Sequence, residues 1–258
     1  MSKKMAKIVA FSCTHAPFTP PETHQWILDQ LTTIDGVTHL VHLGDLHDGT
    51  AASVHPSEAS HSLSDEYRFS SNFLRTLRAE VPSSTRLVCC LGNHDANILA
   101  EDPRRIDRAV RDLVDWRKHP EFGEEFKKWH WLPYEKSARC VYRVGQVHLF
   151  HGFDAGANSD EIEGLQMVGA CGWTPYALTI RGHTHRPVSP TRAKRSSKCM
   201  LPYWNMNVGT CGPLKPDYMK RKDTSLWNAG MAIVEAVWDK PSRISGKSWT
   251  AELREMPR

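Results

Sequence analysis

The chain has 258 residues, of which 40% are hydrophobic and 24% charged, which is typical of a globular protein rather than a disordered one. Its formal net charge of +4 permits a phosphate-bearing substrate without requiring nucleic acid, and its apolar runs are far shorter than the roughly 20 residues of a membrane span. The apolar run 8–11 behind the N-terminal lysines is too short for a signal-peptide core, so we expect a cytoplasmic protein.

Strand and helix patterns alternate in the first third of the chain. Three runs have the composition of buried strands: 7–13, 37–43 and 85–91. Helical spacing of apolar residues fills most of the intervals between them, at 20–34 and 66–81, with a Ser- and His-rich loop predicted at 50–64. A strand–helix–strand order with right-handed crossovers predicts that the three strands are parallel.

The pattern changes after residue 91. A charged segment with aromatic anchors predicts a helical excursion at about 97–130. Short strands are predicted beyond it: 140–144, 146–150, 177–181, 203–208 and 231–237. We find no internal repeat and no low-complexity linker, and therefore expect one α/β domain over residues 1–258.

Five short motifs directly follow predicted strands. In open α/β sheets, sites form just beyond the carboxyl ends of the strands. Each motif contains His, Asp, Asn or Cys, which are metal-ligand types. The motifs are Cys13-Thr14-His15, Gly44-Asp45-Leu46-His47-Asp48, Gly92-Asn93-His94-Asp95, His151-Gly152 and Gly182-His183-Thr184-His185.

In order and spelling these motifs resemble those of the calcineurin-like metallophosphoesterases, whose pattern is D-x-H, GDxxD, GNH[DE], a lone His and GHxH. Four of the five blocks match, and the first departs by one residue, with Cys13 where the family usually has Asp. The resemblance extends from Cys13 to His185. It implies a four-layer α/β/β/α sandwich with two packed mixed β-sheets, and metal-dependent hydrolysis of a phosphate ester.

The resemblance also implies a binuclear centre. Two cations about 3.5–4 Å apart can hold a bridging hydroxide as the nucleophile and clamp a phosphate. Asp45 would bridge the two ions. The first ion would be bound by Cys13, His15 and His185, and the second by Asn93, His151 and His183.

The third motif would supply the catalytic acid. By the same resemblance, His94 would not bind metal but would face the substrate, stabilise the phosphoryl charge and protonate the leaving group. Asp48 would pair with His94 and orient it. Asp95 is expected to be a structural hydrogen-bond acceptor.

Cys13 bears on the identity of the metals. A thiolate is a softer ligand than a carboxylate and favours iron or zinc over magnesium or manganese. The expected cofactors are therefore two divalent or trivalent transition-metal ions, Fe, Zn or Mn, with Fe or Zn favoured at the Cys13 site. The alternative interpretation of Cys13 is a core cysteine at the end of a buried strand.

Other polar residues are given more ordinary interpretations. His42 and His148 lie inside predicted strands and are expected to be buried and hydrogen-bonded. Alternation places His148 and His151 on opposite faces, so only one of them can face the metals, and His151, which glycine follows at the strand end, is the one expected to do so. His47 could either line the pocket or be structural. Asn207 is expected to support the site only from behind the ligands.

The sequence leaves the substrate open between a phosphodiester and a small phosphomonoester. A nuclease of the same chemistry is one alternative, since basic residues cluster at 181–198 and 215–222, but a solvated loop face is the simpler interpretation and a nucleic-acid partner is not favoured. A non-catalytic scaffold is the second alternative, and the presence of His94 argues against it. Gly49 stands where the protein Ser/Thr phosphatases carry an arginine, which disfavours that class. No feature fixes the oligomeric state.

Overall fold

The computed structural model describes residues 4–50, 61–99, 114–193, 202–216, 219, 222–238 and 246–258. Eleven strands are formed within these ranges. In chain order they are β1 (Met5–Phe11), β2 (His39–His42), β3 (Arg86–Cys90), β4 (His130–Leu132), β5 (Tyr142–Val144), β6 (Val147–Leu149), β7 (Leu178–Arg181), β8 (Pro187–Arg192), β9 (Trp204–Val208), β10 (Gly230–Val237) and β11 (Trp249–Glu255).

The strands form two mixed sheets. The first has the order β11–β10–β1–β2–β3–β4, in which β1 to β4 are parallel and β10 is antiparallel to both of its neighbours. The second has the order β5–β6–β7–β9–β8, with β6, β7 and β9 parallel. Because β1, β2 and β3 are parallel neighbours, the motifs that follow them lie together at the carboxyl ends of these strands.

Within the described ranges, five α-helices cover the sheets or connect their strands. They are α1 (Pro21–Thr32), α2 (Leu63–Ala79), α3 (Asn93–Ile98), α4 (Gly123–Phe126) and α5 (Ser159–Ala170). Proline stands in the first turn of α1, where its missing N–H has no helical partner to lose. Ser62 caps α2 by accepting the backbone N–H of Asp65 at 3.1 Å.

The alternation of apolar side chains along the strands produces the layers. Ile8 and Ala10 of β1 face the second sheet, where they pack in one core with residues such as Leu149 and Ile180. Val9 and Phe11 point to the other side and pack under α1 and α2. The outer face of the second sheet is covered by α5, whose apolar residues include Met167 and Val168. The predicted α/β/β/α order is therefore confirmed.

Several elements differ from the predictions. Helix α2 begins at Leu63, inside the predicted loop, because Ser62 provides a cap; residues 51–60 of that loop lie outside the described residues. The predicted strand 140–144 is divided, with a 3-10 turn at Ala138–Cys140 and β5 starting at Tyr142. Of the helical excursion at about 97–130, residues 100–113 lie outside the described residues, and its last residue already belongs to β4.

Five of the described elements were not predicted: α3, which begins before the predicted helical excursion, α5, β4, β8 and β11. Helix α5 contains two glycines and β8 two prolines, which weaken their helical and strand patterns. β8 tolerates its prolines because it is an edge strand. Among the helices of the described ranges, none combines the length and apolar character needed to cross a membrane.

Candidate metal centre

The turns after β1, β2, β3, β6 and β7 converge at one end of the two sheets. Five non-glycine residues in them have left-handed backbone, with φ between 49° and 67°: Cys13, His15, Asp45, His183 and His185. Each such conformation costs about 1–3 kcal/mol, and such residues cluster at functional sites. All five belong to the predicted set of metal ligands.

Asp45 lies at the centre of these turns and is buried. Its Oδ2 atom is 3.1 Å from His151 Nε2 and 4.0 Å from His15 Nε2, so imidazoles approach from both sheets. Its Oδ1 atom accepts the backbone N–H of His94 at 3.0 Å. Burial by itself would raise the pKa of Asp45, but the neighbouring His151 and His94 hold it well below its usual range. The carboxylate is therefore ionised.

The predicted ligands form two groups that share Asp45. In the first, one ligand atom each of Cys13, His15, Asp45 and His185 lies within 4.8 Å of the others, and the Nε2 atoms of His15 and His185 are 3.4 Å apart. In the second, Asp45, His151 and His183 meet the same limit. Asn93 joins the second group, with its Oδ1 atom 3.3 Å from His151 Nε2.

Two of the histidines are oriented by hydrogen bonds at their outer nitrogens. His151 Nδ1 donates to the Leu43 carbonyl at 2.8 Å, and His15 Nδ1 donates to Asp48 Oδ1 at 3.1 Å. In both rings this leaves Nε2, the nitrogen nearer Asp45, as the atom that would bind a cation. Metal-binding histidines are held in this way by carbonyls and carboxylates.

The donor set fits metal ions. Burial lowers the pKa of His183 to about 3, and burial together with His15 lowers the pKa of His185 well below its usual range, so both rings are neutral at pH 7 and keep a lone pair for a cation. The first group offers sulfur, nitrogen and oxygen, which suits zinc or iron. The second offers nitrogen and oxygen, which also suits manganese.

Cys13 is both fully buried and part of the first group. Its Sγ atom accepts the backbone N–H of His183 at 3.4 Å and lies 3.0 Å from Ser12 Oγ. Burial, reinforced by Asp45, raises the pKa of the thiol well above its usual value, so the metal-free protein carries a protonated thiol. A bound cation would favour the thiolate.

Comparison with known families identifies the fold and its activity. A family model described as calcineurin-like phosphoesterase matches residues 6–187, which include all five motifs. The chain belongs to the calcineurin-like phosphoesterases. This membership confirms the predicted family and fold and indicates a metal-dependent hydrolase of phosphoester bonds. No curated protein matches the chain.

In this phosphoesterase, His94 contacts both the backbone carbonyl and the carboxylate of Asp48. Its Nδ1 atom donates to the backbone carbonyl of Asp48 at 2.6 Å, whereas the Asp48 carboxylate is 3.9 Å away. That carboxylate accepts from His15 instead, because His15 Nδ1 lies closer, at 3.1 Å. The Asp48 carboxylate therefore lies within ion-pair distance of His94, while the hydrogen bond that orients the ring goes to the Asp48 backbone carbonyl. His15, Asp48 and His94 form a third group of ligand-type atoms within 4.8 Å.

The electrostatics of His94 favour its charged form. Burial would lower its pKa, but Asp45, the Asp48 carbonyl and the Asp48 carboxylate together raise it. A quarter of the side chain is exposed (25%), so the ring can reach a substrate in solution.

The remaining motif residues are structural. Asp95 accepts the backbone N–H groups of Leu46, His47 and Gly92 at 3.0–3.2 Å, as expected of a structural acceptor. His47 is fully buried, lies 3.0 Å from Asp95 Oδ1 and packs on Trp116, so it does not line a pocket.

The two strand histidines differ from each other. His42 is buried and lies within hydrogen-bond distance of Thr14 Oγ1, at 3.0 Å, as predicted. His148 is equally buried, but neither of its ring nitrogens has a hydrogen-bond partner among the described residues. The expectation of a hydrogen-bonded His148 was therefore wrong.

Sequence reasoning missed the residues that flank the two groups. The Tyr134 ring lies 6.0 Å from the His151 ring, and the Trp227 ring lies 4.2 Å from the His185 ring. Tyr134 follows β4, so a prediction of that strand would have identified another strand end near the site. No local pattern marks Trp227.

The basic segments are only partly described. Arg181, the first residue of one segment, is buried against Glu163, with Nη1 2.6 Å from Glu163 Oε2, and is not accessible to a nucleic acid. Arg186 donates to the Ala155 carbonyl at 3.1 Å. Residues 194–201, 217–218 and 220–221 lie outside the described residues.

Proposed function

We propose that this phosphoesterase hydrolyses a phosphodiester or small phosphomonoester with a binuclear metal centre. The observation that supports this is the pair of ligand groups that share the buried, ionised Asp45. Ions bound by these groups would polarise the phosphoryl group and activate the attacking water. Cys13, His15 and His185 would hold one ion, and Asn93, His151 and His183 the other.

The chain itself supplies the proton for the leaving group. His94 Nδ1 is held by the Asp48 carbonyl, which leaves Nε2 as the atom available to the substrate. The raised pKa keeps a larger fraction of the ring protonated near neutral pH, as a general acid requires. Asp48 orients two histidines, because its backbone carbonyl accepts from His94 and its carboxylate accepts from His15.

A metal count combined with a substrate panel tests this function. The purified protein would be loaded separately with zinc, iron or manganese, counted by elemental analysis, and assayed on nitrophenyl phosphate and bis(nitrophenyl) phosphate. We expect two ions for each chain and hydrolysis of at least one ester. One ion or none, or hydrolysis of neither ester, would contradict the proposal.

A further inference from the structure

A charged cluster is buried behind the second group of ligands, between α5 and the second sheet. It consists of Arg181 at the end of β7, Asp160 and Glu163 in the first half of α5, and Asn207 on β9, and we name it the Arg181 cluster. Arg181 and Glu163 are each only 1% exposed, and their Nη1 and Oε2 atoms are 2.6 Å apart. Residues of this kind are almost never fully buried unless they are paired.

The cluster holds the turn that follows His151. Both carboxylate oxygens of Glu163 accept the backbone N–H of Phe153, at 3.0 and 3.1 Å. Arg181 Nη2 donates to the Asp154 carbonyl at 2.8 Å. The turn is pressed so closely onto the guanidinium that a Cβ atom at Gly152 would lie 2.6 Å from Arg181 Nε. The position of His151 is thus tied to the ion pair.

The same cluster holds the turn that carries His183. Arg181 precedes Gly182-His183 directly, and its Nε atom lies 3.4 Å from Asp160 Oδ1. The Asn207 amide donates to that Asp160 oxygen at 2.8 Å and lies 3.0 Å from the Gly182 carbonyl. Two turns from different strands are therefore connected through one network.

Packing alone does not account for this arrangement. A buried ion pair is often no more stabilising than apolar side chains of similar volume, because both charges lose their hydration. Instead, Glu163 accepts from the turn that follows His151, Arg181 Nη2 donates to the same turn, and Asn207 donates to the turn that bears His183.

We propose that the Arg181 cluster positions His151 and His183 and so sets the affinity of the second metal site. This inference rests on the proposed function, in which those histidines are ligands. Arg181 and Glu163 are positioning residues, since neither would touch metal or substrate.

Calorimetric titration of the metal-free full-length chain with Zn²⁺ tests the proposal. In Glu163→Gln we expect the first ion to bind as in the wild type and the affinity for the second to fall about 10- to 100-fold, as for other residues that orient ligands. Glu125→Gln is the matched control, because Glu125 is also buried and paired, with Arg78 and Lys128, on the far side of the first sheet. Both ions should bind this control normally.

The double variant Arg181→Met/Glu163→Met separates positioning from stability. It removes both charges of the buried Arg181–Glu163 pair at once, and Asp160, the remaining charge of the cluster, keeps the hydrogen bond from the Asn207 amide, so the fold should be kept even if Glu163→Gln fails to fold. We expect its urea midpoint to stay near that of the wild type while the second ion remains weakly bound. Tight binding of both ions by the double variant would overturn the proposal. Fewer than two ions on the wild type would instead overturn the binuclear centre, and this inference with it.

Discussion

At the scale of single residues, Asp45 is the one side chain common to both ligand groups. Each group also draws on both sheets, so the carboxylate is surrounded by imidazoles from opposite directions. Removing its charge should affect two sites at once, which distinguishes it from every other predicted ligand.

Asp45→Asn is therefore expected to lower the metal content and to reduce hydrolysis by about 1,000-fold or more, since a bound metal contributes several kcal/mol to the transition state. The substitution preserves the shape of the side chain. Metal analysis and kcat/KM on bis(nitrophenyl) phosphate measure both effects. Asp29→Asn, on the exposed face of α1, is the control. Full activity of Asp45→Asn would exclude the bridging role.

His94→Ala is expected to separate good from poor leaving groups. General acids contribute about 100- to 10,000-fold, and the contribution is largest when the leaving group is a weak acid. The variant should lose far more activity on alkyl esters than on nitrophenyl esters, with unchanged metal content. Equal losses on both would mean that His94 only binds the phosphoryl group.

Cys13→Asp would restore the usual family pattern. It should reduce the retention of zinc or iron during dialysis and raise the activity supported by added manganese, because a carboxylate is a harder ligand than a thiolate. Cys89→Ala, in the buried strand β3, should leave metal preference unchanged. If Cys13→Asp behaves like this control, Cys13 is a core cysteine.

Sequence reasoning succeeded where a motif is local and failed where partners come from separate strands. The resemblance of the five motifs to those of the calcineurin-like phosphoesterases predicted the residues that converge around Asp45. The hydrogen bond from His15 to the Asp48 carboxylate could not be predicted in this way, because the relative positions of His15 and His94 depend on how two different strand-end turns pack.

At the scale of the elements, glycines allow the strand-end turns to approach one another. Gly44 has φ +106°, and a Cβ atom there would lie 2.7 Å from His151 Nδ1. That nitrogen donates to the neighbouring Leu43 carbonyl. The turn after β2 thus packs against the ring of His151, which the other sheet carries.

Gly44→Ala should displace His151 and weaken the second metal site, in addition to a backbone cost of about 1–3 kcal/mol. Gly36→Ala is a matched control, since Gly36 also has positive φ (+70°) but nothing within 4 Å of its Cβ position. Zinc titration and urea unfolding of the two variants separate strain from ligand displacement. If both variants lose stability but bind zinc as the wild type does, the close contact at Gly44 does not affect metal binding.

The elements that escaped prediction lack strong periodic signals. Helix α5 is interrupted by Gly164 and Gly169, yet Glu163 within it supports the turn after His151. The helix is stabilised mainly by its tertiary contacts with the second sheet, and the local sequence pattern does not reveal such contacts.

At the scale of the whole molecule, the first sheet continues beyond the family match at residues 6–187. β10 pairs with β1, and β11 pairs with β10, so both strands extend the same sheet. Trp249 of β11 lies in the core between the two sheets. These contacts support our proposal that residues 1–258 form one domain, and we expect a single unfolding transition in urea.

The pH dependence of that transition should reflect the buried histidines. Burial lowers the pKa of His148 to about 3, whereas an exposed histidine titrates near 6.5. Below about pH 6.5 the unfolded chain therefore binds protons that the folded chain does not, and stability falls as the pH decreases toward 3.

His148→Leu should reduce this acid sensitivity and raise stability at neutral pH by about 1–3 kcal/mol, since two unpartnered buried nitrogens are removed. Urea midpoints of the wild type and the variant between pH 8 and pH 4 test this. Any effect of acid on metal binding would be the same in both proteins and would cancel in the comparison. Identical pH profiles of the two proteins would contradict the role of His148 in acid sensitivity. Two separate unfolding transitions would contradict the single domain.

The division of each ligand group between the sheets has a thermodynamic consequence. One group joins Cys13 and His15, after β1, to His185, after β7, and the other joins Asn93, after β3, to His151 and His183. Each ion would therefore be a cross-link between two layers otherwise held together by an apolar core. A ligand that binds only the folded state stabilises it by about 2.7 kcal/mol when the free ligand concentration is 100 times its Kd. The concentration of available metal would therefore set the folding stability of the protein as well as its activity.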